Sequence, residues 1–348
     1  MKLYKQIIFI LIVFFKTETL FSKSNLFNVN NIQIEKKGNI KNDKLAEQAI
    51  KKGFNQLILN LLLKDDSDKV INLNYPSIKE LVAYYQIANI SYKDKGDEIA
   101  NFNVTFDKDK MHNLFYEKNI SYSKILDNEI FTLPILINDN EIFVFNNNYF
   151  YKNWNDIYEN DQIEFILPLE NIEIIQNINN YKNNLINLEV KSLFEEYSNK
   201  NLVVIFIEDF KKIKKKVYIK AIIEDKKISK SLDFEKKNLS YENFKEKIII
   251  EIKKELINLV KSENLIDIRT PNFLNVEFNL DKKNNLVELN LRIKNIESIE
   301  NLYVQEFNKD RASIRIKYLG KLEKIINQLK KEGINLKLIN DQWVIKTL

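Results

Sequence analysis

Residues 202–207 read Leu-Val-Val-Ile-Phe-Ile, an unbroken apolar run within a chain of 348 residues. A short apolar run that is rich in β-branched residues and bounded by polar ones predicts a buried strand. Residues 216–224 and 227–234 follow this run and alternate in polarity, which predicts a hairpin. A helix is expected at 240–261, because a serine N-cap is followed by apolar residues at helical spacing. This order of strands and a long helix indicates an α/β module.

The segment before residue 202 completes a middle domain, which we expect at 159–269. Residues 165–169, Phe-Ile-Leu-Pro-Leu, predict another buried strand, and a helix is predicted at 183–198. Thr270-Pro271 marks the end of this domain, because proline favours turns and boundaries between elements.

An N-terminal α+β domain is expected at 25–158. Residues 100–106 alternate strictly between apolar and polar side chains and predict its clearest strand. A helix at 43–63 carries Gly53 in its interior. Since glycine costs about 1 kcal/mol there relative to alanine, Gly53 predicts close packing against a neighbouring element. The other predicted elements are a strand at 26–35, a helix from Ser77 to Ile90 that opens on a capping box, a helix at 108–118, and strands at 130–137 and 141–146.

A C-terminal domain is expected at 270–348. Strands are predicted at 274–280, 300–307, 311–318 and 334–339, and a helix at 320–332. Residues 284–295 fit both a helix and a strand, and we choose the helix because only then does the order become βαββαβ, the ferredoxin-like split. Residues 343–345 add one strand. The fold class is therefore α+β and α/β, with three consecutive small mixed modules of which the last is ferredoxin-like.

Residues 1–24 predict a secretory signal peptide. A cationic start at Lys2 and Lys5 precedes an apolar run from Ile7 to Phe15, and Ser22-Lys23-Ser24 offers the small-x-small pattern of a cleavage site. The run is too short for a spanning helix, which needs about 20 apolar residues. We expect a periplasmic protein with no stable membrane span after cleavage. The alternative is a protein that an uncleaved N-terminal segment anchors to the membrane.

Composition excludes several kinds of chemistry. The chain has no Cys, which excludes disulfides, thiol nucleophiles, thiolate metal sites and a bacterial lipid anchor. The single histidine, His112, excludes a multi-His metal site, and we interpret it as structural or solvent-facing. The five glycines form no phosphate-binding loop and no nucleophile elbow. We therefore expect no enzymatic activity, no metal, no cofactor and no nucleic-acid partner.

Residues 145–154 form a segment that is rich in aromatic residues and Asn, here called the aromatic segment. Its candidate functional residues are Phe145, Tyr149, Phe150, Tyr151 and Trp154. Rings in a loop can stack on a sugar or a peptide, and a commoner role is to fill a junction between two domains. We favour the junction.

Lysines cluster at 211–216, in a chain whose net charge is only +5. Clusters of this kind can bind polyanions or lipids that carry phosphate. We interpret this cluster instead as the solvated loop of a hairpin.

Several stretches resemble the exported bacterial proteins that are grouped as the family called domain of unknown function 2066. The resemblance covers nearly the whole chain after residue 24. It rests on residues 29–34 with the helix that holds Ala46, Ala49 and Gly53, on residues 102–107, on the aromatic segment, on residues 167–171 and on residues 333–345. The chain departs from the family pattern at Phe145 and Phe150, where Trp is usual, and at Glu170 and Asn171, where Gly and Asp are usual. The resemblance implies an exported protein and supplies no catalytic residue.

The middle domain is similar in its order of elements to the N-terminal domain of the periplasmic translocation protein TolB and to curli-secretion-type α/β domains. This similarity implies a module that binds partners and performs no chemistry. It is an analogy of fold, and a fold does not fix a function.

These observations lead to a first hypothesis, a non-catalytic interaction or assembly protein of the bacterial envelope with an envelope protein as its partner. Two alternatives stay open. A carboxylate-dependent hydrolase needs only two Asp or Glu side chains about 5–9 Å apart in a cleft. A carrier of an apolar ligand or lipid needs a dry cavity beneath the aromatic segment.

Overall fold

The computed structural model describes residues 26–36, 41–92, 98–125, 129–138, 141–157, 163–182, 184–197, 200–210, 213–280 and 285–347. The predicted signal peptide lies outside these ranges. The chain divides into two compact units. Unit 2 is the continuous segment 123–265, and unit 1 combines the segments that precede and follow it.

The first part of unit 1 is a three-stranded antiparallel sheet beside one long helix. Its elements are β1 (Asn28–Lys36), α1 (Asn42–Leu61), α2 (Lys64–Ser67), α3 (Tyr75–Glu80), β2 (Val82–Tyr92), β3 (Glu98–Phe106) and α4 (Lys108–Glu117). The strand order is β1-β3-β2. Phe102 and Val104 of β3 are buried in one core with Phe54 and Ile58 of α1. The predicted alternation of this strand and the helix predicted at 43–63 are thus confirmed.

The helix predicted from Ser77 to Ile90 is wrong beyond Glu80. Residues 82–92 form β2, which pairs antiparallel with β3. The N-cap is Asn74, whose Oδ1 accepts the backbone N–H of Ser77 at 3.0 Å, in place of the predicted Ser77. The strand is rich in aromatic and β-branched residues, which fit a pleated surface, and pairing with β3 ends the helix after its first turns.

Unit 2 is a mixed sheet that is covered on both faces. Two-residue strands, β4 (Tyr122–Ser123) and β11 (Leu265–Ile266), lie where the chain passes from one unit to the other. The elements of unit 2 are β5 (Glu129–Asn138), β6 (Glu141–Phe143), α5 (Tyr149–Lys152), β7 (Glu164–Ile166), α6 (Ile172–Asn180), β8 (Asn201–Phe210), β9 (Lys214–Ile223), β10 (Lys226–Glu235) and α7 (Tyr241–Glu263). The strand order is β10-β9-β8-β5-β6, and β7 also pairs with β5. The apolar run at 202–207 lies in β8, the central strand. One face of the sheet packs against α7, and the other packs against α6 and the turns that follow it.

The helix predicted at 183–198 is wrong. The helix α6 lies earlier in the chain, where Asn171 caps it by accepting the N–H of Glu173 at 2.7 Å. The described residues from 185 to 197 form short 3-10 turns. Asparagines recur through this region, and their side chains compete for backbone groups and so favour caps and turns over a helix interior.

The sheet of unit 2 begins earlier in the chain than the middle domain predicted at 159–269. The prediction places β5 in the N-terminal domain, 25–158, whereas β5 pairs in parallel with β8 from Ile130 to Ile137. Parallel strands need a long crossover between them, so their pairing leaves no signal in the local pattern of residues. The boundary near residue 158 therefore falls inside a single sheet.

The second part of unit 1 has the predicted order βαββαβ followed by one strand. Its elements are β12 (Asn272–Asn279), α8 (Leu286–Ile293), β13 (Ile299–Phe307), β14 (Arg311–Tyr318), α9 (Leu322–Lys331), β15 (Ile334–Ile339) and β16 (Gln342–Thr347). The choice of a helix within 284–295 is confirmed. The strand order is β13-β14-β12-β16-β15, so the added strand lies inside the sheet, parallel to β12. A tight turn at Asn340 and Asp341, with φ angles of 48° and 61°, folds β16 back along β15.

The two parts of unit 1 share a hydrophobic core around Phe27. Ile266 and Leu319, from the second part, are buried in the same core. A polar contact adds to this packing, since the backbone N–H of Leu26 donates to Oε1 of Glu297 at 3.0 Å. The hydrophobic core of unit 1 is therefore built from residues of both of its chain segments.

Gly53 lies where α1 makes its close approach to the sheet, as its position in the sequence predicts. A Cβ atom at this position would come within 2.7 Å of Cδ1 of Ile32 in β1 and within 3.7 Å of Val104 in β3. Ile32 is itself fully buried, so its side chain has little room to move aside. The glycine therefore sets the distance between the helix and the sheet.

We predict that Gly53→Ala and Ile32→Val are energetically coupled. Gly53→Ala gains about 1 kcal/mol of helix propensity, but it crowds Ile32, and overpacking costs about 1–3 kcal/mol. Ile32→Val costs about 1 kcal/mol alone, yet it removes the crowded methyl group. The double variant should therefore be about 1 kcal/mol more stable than the sum of the single effects. Hydrogen exchange of the α1 amides measures this, and additive effects would contradict the close contact.

Candidate functional site

Four lysines are the charged residues that are buried within the described ranges, and all of them belong to unit 2. They are Lys215 of β9 and Lys245, Lys253 and Lys261 of α7. Moving an ammonium group out of water is costly unless the charge is paired or hydrogen-bonded. For Lys261 burial alone lowers the pKa to about 8. The side chains and carbonyl groups that surround these lysines therefore contribute to the stability of unit 2.

Lys245 and Lys253 approach rings of the aromatic segment. Nζ of Lys245 lies 3.6 Å from the centre of the Tyr149 ring. Nζ of Lys253 donates to the carbonyl oxygen of Ile157 at 2.9 Å and lies 5.7 Å from the ring centre of Trp154. The face of an aromatic ring attracts a cation. The rings of Tyr149 and Trp154 thus lie near two buried lysines, of which Lys245 is also paired with Oε1 of Glu242 at 2.8 Å.

The five predicted site residues fill both cores of unit 2. Phe150 and Trp154 are buried in the core beneath α7, and Phe145 is buried in the core on the opposite face of the sheet. Tyr149 and Tyr151 are partly exposed and pack against these two cores. The sequence predicts a junction between two domains, whereas the structure places the segment inside one unit.

Lys215 belongs to a buried polar cluster at one end of the sheet. Its Nζ lies 2.6 Å from Oδ2 of Asp209 and 3.4 Å from the hydroxyl oxygen of Tyr241. The Tyr241 hydroxyl donates to the same Asp209 oxygen at 2.7 Å. Burial, together with the hydrogen bond to Asp209, raises the pKa of Tyr241, so its phenol keeps its proton and acts as a donor.

This cluster changes the interpretation of the lysines at 211–216. Lys214 and Lys216 are exposed, but Lys215 is buried, so the interpretation as a solvated loop is wrong for Lys215. Residues 211 and 212 lie outside the described ranges. The alternation of the strand is a signal that reveals Lys215, because every second residue after it, beginning with Val217, is inward-facing and apolar.

The aromatic segment also fixes residues 167–172, which are the loop after β7 with the first residue of α6 and are called here the 167–172 loop. The Tyr151 hydroxyl donates to the carbonyl oxygen of Pro168 at 2.7 Å, and Nδ2 of Asn146 donates to Oε2 of Glu170 at 3.0 Å. The end of the loop is held by the N-cap of α6. Burial raises the pKa of Tyr151, and nearby Glu170 raises it further, so the donor keeps its proton. The loop is therefore tied to unit 2 at three points.

Two apolar side chains project from the 167–172 loop. Leu169 is 86% exposed and Ile172 is 71% exposed. The sequence predicts a buried strand through residue 169, but β7 ends at Ile166, because Pro168 cannot donate to a ladder of hydrogen bonds. A single exposed apolar residue is ordinary on a protein surface. Here a hydrogen-bonded backbone holds two of them in a defined place.

His112 lies in unit 1 between aromatic rings. Its ring centre is 5.6 Å from that of Phe27 and 5.5 Å from that of Tyr122. Its Nε2 is buried and has no hydrogen-bond partner in the described part of the chain. Burial lowers the pKa of His112, nearby Lys108 lowers it further, and neighbouring carboxylates act in the opposite direction. These contacts favour a structural role.

Metal sites, membrane spans and relatives add little to this description. Within the described ranges no group of three or more His, Cys, Asp or Glu is arranged to hold a metal ion. No helix in the described part of the chain combines the length and apolar character that crossing a membrane requires. Comparisons with family models, with curated proteins and with solved structures find no match for the chain. The candidate site is therefore defined by its geometry alone.

We predict that removing both members of the Asp209–Lys215 pair costs less stability than removing one. Asp209→Asn or Lys215→Met alone leaves a buried charge uncompensated and should lower the free energy of unfolding of unit 2 by about 3–5 kcal/mol. The double variant leaves neither charge and should lose markedly less. The chain has two tryptophans. Urea unfolding followed by Trp154 fluorescence, in a Trp343→Phe background, therefore reports on unit 2.

The matched control is an exposed ion pair of the same unit. Nζ of Lys227 lies 3.0 Å from Oε2 of Glu189, and both side chains are mostly exposed. Lys227→Met should change the free energy of unfolding by less than about 1 kcal/mol, as exposed pairs do. Equal losses at Lys215 and Lys227, or a double variant as unstable as the two single variants together, would rule out the buried pair.

We predict that unit 1 loses stability as the pH falls from 7 to 5.5. The pKa of His112 lies below the value of about 6.5 that an unfolded chain has. Below that value the unfolded state takes up the proton first, so the free energy of unfolding falls until the pH passes the folded pKa. His112→Phe keeps a ring against Phe27 and Tyr122 and should flatten this slope. Unfolding followed by Trp343 fluorescence in a Trp154→Phe background measures this dependence of stability on pH. An unchanged slope in the His112→Phe variant would show that His112 is not its cause.

Proposed function

We propose that the protein is exported to the periplasm and acts there as a non-catalytic interaction protein of the bacterial envelope. The observation that carries the proposal is the pair of exposed apolar side chains, Leu169 and Ile172, on a loop that hydrogen bonds hold in place. Export is supported by the apolar run from Ile7 to Phe15 behind a cationic start. The similarity in element order to the N-terminal domain of TolB supports the same class of protein.

Rigid presentation of the 167–172 loop favours binding. Ordering a mobile loop costs conformational entropy that is subtracted from the free energy of binding. In this loop the bond from Tyr151 to Pro168 and the N-cap of α6 have already fixed the backbone. A partner therefore gains most of the free energy of burying the two side chains, about 1.5–3 kcal/mol for each when burial is complete.

The surroundings of the two side chains indicate the kind of partner. Glu170 and Glu173 flank Leu169 and Ile172 and are exposed. An apolar depression bordered by Lys or Arg would match this arrangement, because opposite charges at the rim of an interface steer association. We expect another envelope protein with such a depression.

Site-specific photo-crosslinking in cells tests the proposal. A photoreactive amino acid placed at Leu169 should form an adduct with another envelope protein. The matched control is Val287 on α8, which is apolar and 72% exposed but lies on no tethered loop. Adducts at both positions, at neither, or only with a second copy of the chain would contradict the proposal.

Variants of the loop test its mechanism on the captured partner. Leu169→Ser should weaken binding by roughly tenfold to a hundredfold, the equivalent of one buried leucine. Tyr151→Phe keeps the ring and removes the bond to Pro168, so it should weaken binding without unfolding unit 2. Release of the protein by osmotic shock tests export separately, and retention in the cytoplasm would contradict the periplasmic part alone.

A further inference from the structure

The strand β2 is an edge strand without a charged residue. It pairs with β3 on one side, and no strand of the described ranges lies on its other side. Its eleven residues, Val82–Tyr92, contain no Lys, Arg, Asp, Glu or Pro. Residues 83–91 are all exposed. Such an edge offers backbone N–H and C=O groups to another strand.

The other edge strands of the three larger sheets all carry charge within the described ranges. The charged residues include Glu35 and Lys36 in β1, Glu141 in β6, Glu164 in β7, Lys226 and Lys230 in β10, Glu300 and Glu306 in β13, and Lys337 in β15. Charged side chains on an edge are a common protection against pairing with another chain. The strand β2 lacks this protection over its whole length.

The apolar side chains of β2 continue the sheet face that α1 covers. Tyr85 and Ile87 lie opposite Val104 and Phe102 of β3, and Ile90 lies on the same face. Both β3 residues are fully buried, whereas Tyr85, Ile87 and Ile90 are 47%, 44% and 49% exposed. The helix thus covers β3 but leaves an apolar strip uncovered along β2.

Two residue pairs of β2 match in character on either side of a centre between Ile87 and Ala88. Ala88 is the extra residue of a β-bulge, since the register with β3 shifts between Ile87 and Asn89. In the second pair outward from the centre both residues are amides on the uncovered face, and in the third pair both are large apolar residues on the covered face. These pairs are Gln86 with Asn89 and Tyr85 with Ile90.

We propose that β2 pairs antiparallel with β2 of a second copy of this chain, about a two-fold axis between Ile87 and Ala88. The two three-stranded sheets then form one six-stranded sheet. Tyr85 of each copy lies opposite Ile90 of the other, an aromatic residue against a β-branched one, which is a favourable cross-strand pair. In a contact with two-fold symmetry, a charged side chain near the axis lies close to the same charge of the second copy. A strand without charge therefore suits such a contact, and a charged strand does not. The inference is independent of the 167–172 loop.

Sedimentation of the purified protein over a range of concentrations tests the pairing. The protein should be a dimer that dissociates on dilution. Ile87→Lys places like charges beside the axis and should raise the dissociation constant about a hundredfold or more. The matched control is Val304→Lys, the same kind of change on the edge strand β13 at a position that is 47% exposed, and it should have no effect. A monomer at the highest soluble concentration, or equal effects of the two variants, would overturn the proposal.

Disulfide trapping tests the register, because the chain has no Cys of its own. Tyr85→Cys combined with Ile90→Cys should give covalent dimers on oxidation, since the two positions face each other across the axis. Within one copy these positions are about 16 Å apart, five residues at 3.3 Å each, so the link can form only between copies. Each single variant should stay unlinked. Linking of the single variants, or no linking of the double variant, overturns this register.

Discussion

The desolvation of four lysine side chains is the constraint on which unit 2 depends. An ammonium group in an apolar interior has to meet a carboxylate, a carbonyl oxygen or the face of a ring. Lys215 meets Asp209, and Lys245 and Lys253 meet the aromatic segment. The aromatic segment therefore helps to accommodate two of these ammonium groups. The same segment ties down the 167–172 loop, so the proposed binding surface and the surroundings of two buried lysines depend on one stretch of the chain.

Elements with strong local signals could be predicted from the sequence. The serine N-cap and apolar stripe of α7, the hairpin of β9 and β10, and the order of the C-terminal elements all lie where the pattern of residues puts them. Elements whose secondary structure depends on distant partners could not be predicted from the sequence. Residues 82–92 follow a predicted helix start at Ser77, yet pairing with β3 makes them a strand. The insertion of β16 beside β12 likewise depends on a pairing that no local pattern records.

The sequence predicted that the aromatic segment is important, but it did not predict what its residues contact. The sequence draws attention to the five aromatic residues, but two of them, Tyr149 and Trp154, contact lysines of α7, which lie about a hundred residues later in the chain. Leu169 looks like the end of a buried strand, because an apolar run conceals the effect of one proline on the ladder. The missing charge of β2 is visible in the sequence. This absence of charge indicates an unprotected edge only once the structure shows that β2 lies at the edge of its sheet.

The division of unit 1 into two chain segments has a consequence for the time course of folding. Synthesis from the N-terminus produces β1, β2 and β3 long before Ile266 and Leu319, which complete the core around Phe27. Unit 2 is continuous and contains both of its covering layers, so it can close first. Contacts between distant segments form slowly and leave unpaired strands open to wrong partners. The N-terminal segment of unit 1 is thus the last to complete its core, and it contains β2, the edge strand without a charged residue. A chaperone that holds unfolded chains is therefore expected to act mainly on this segment.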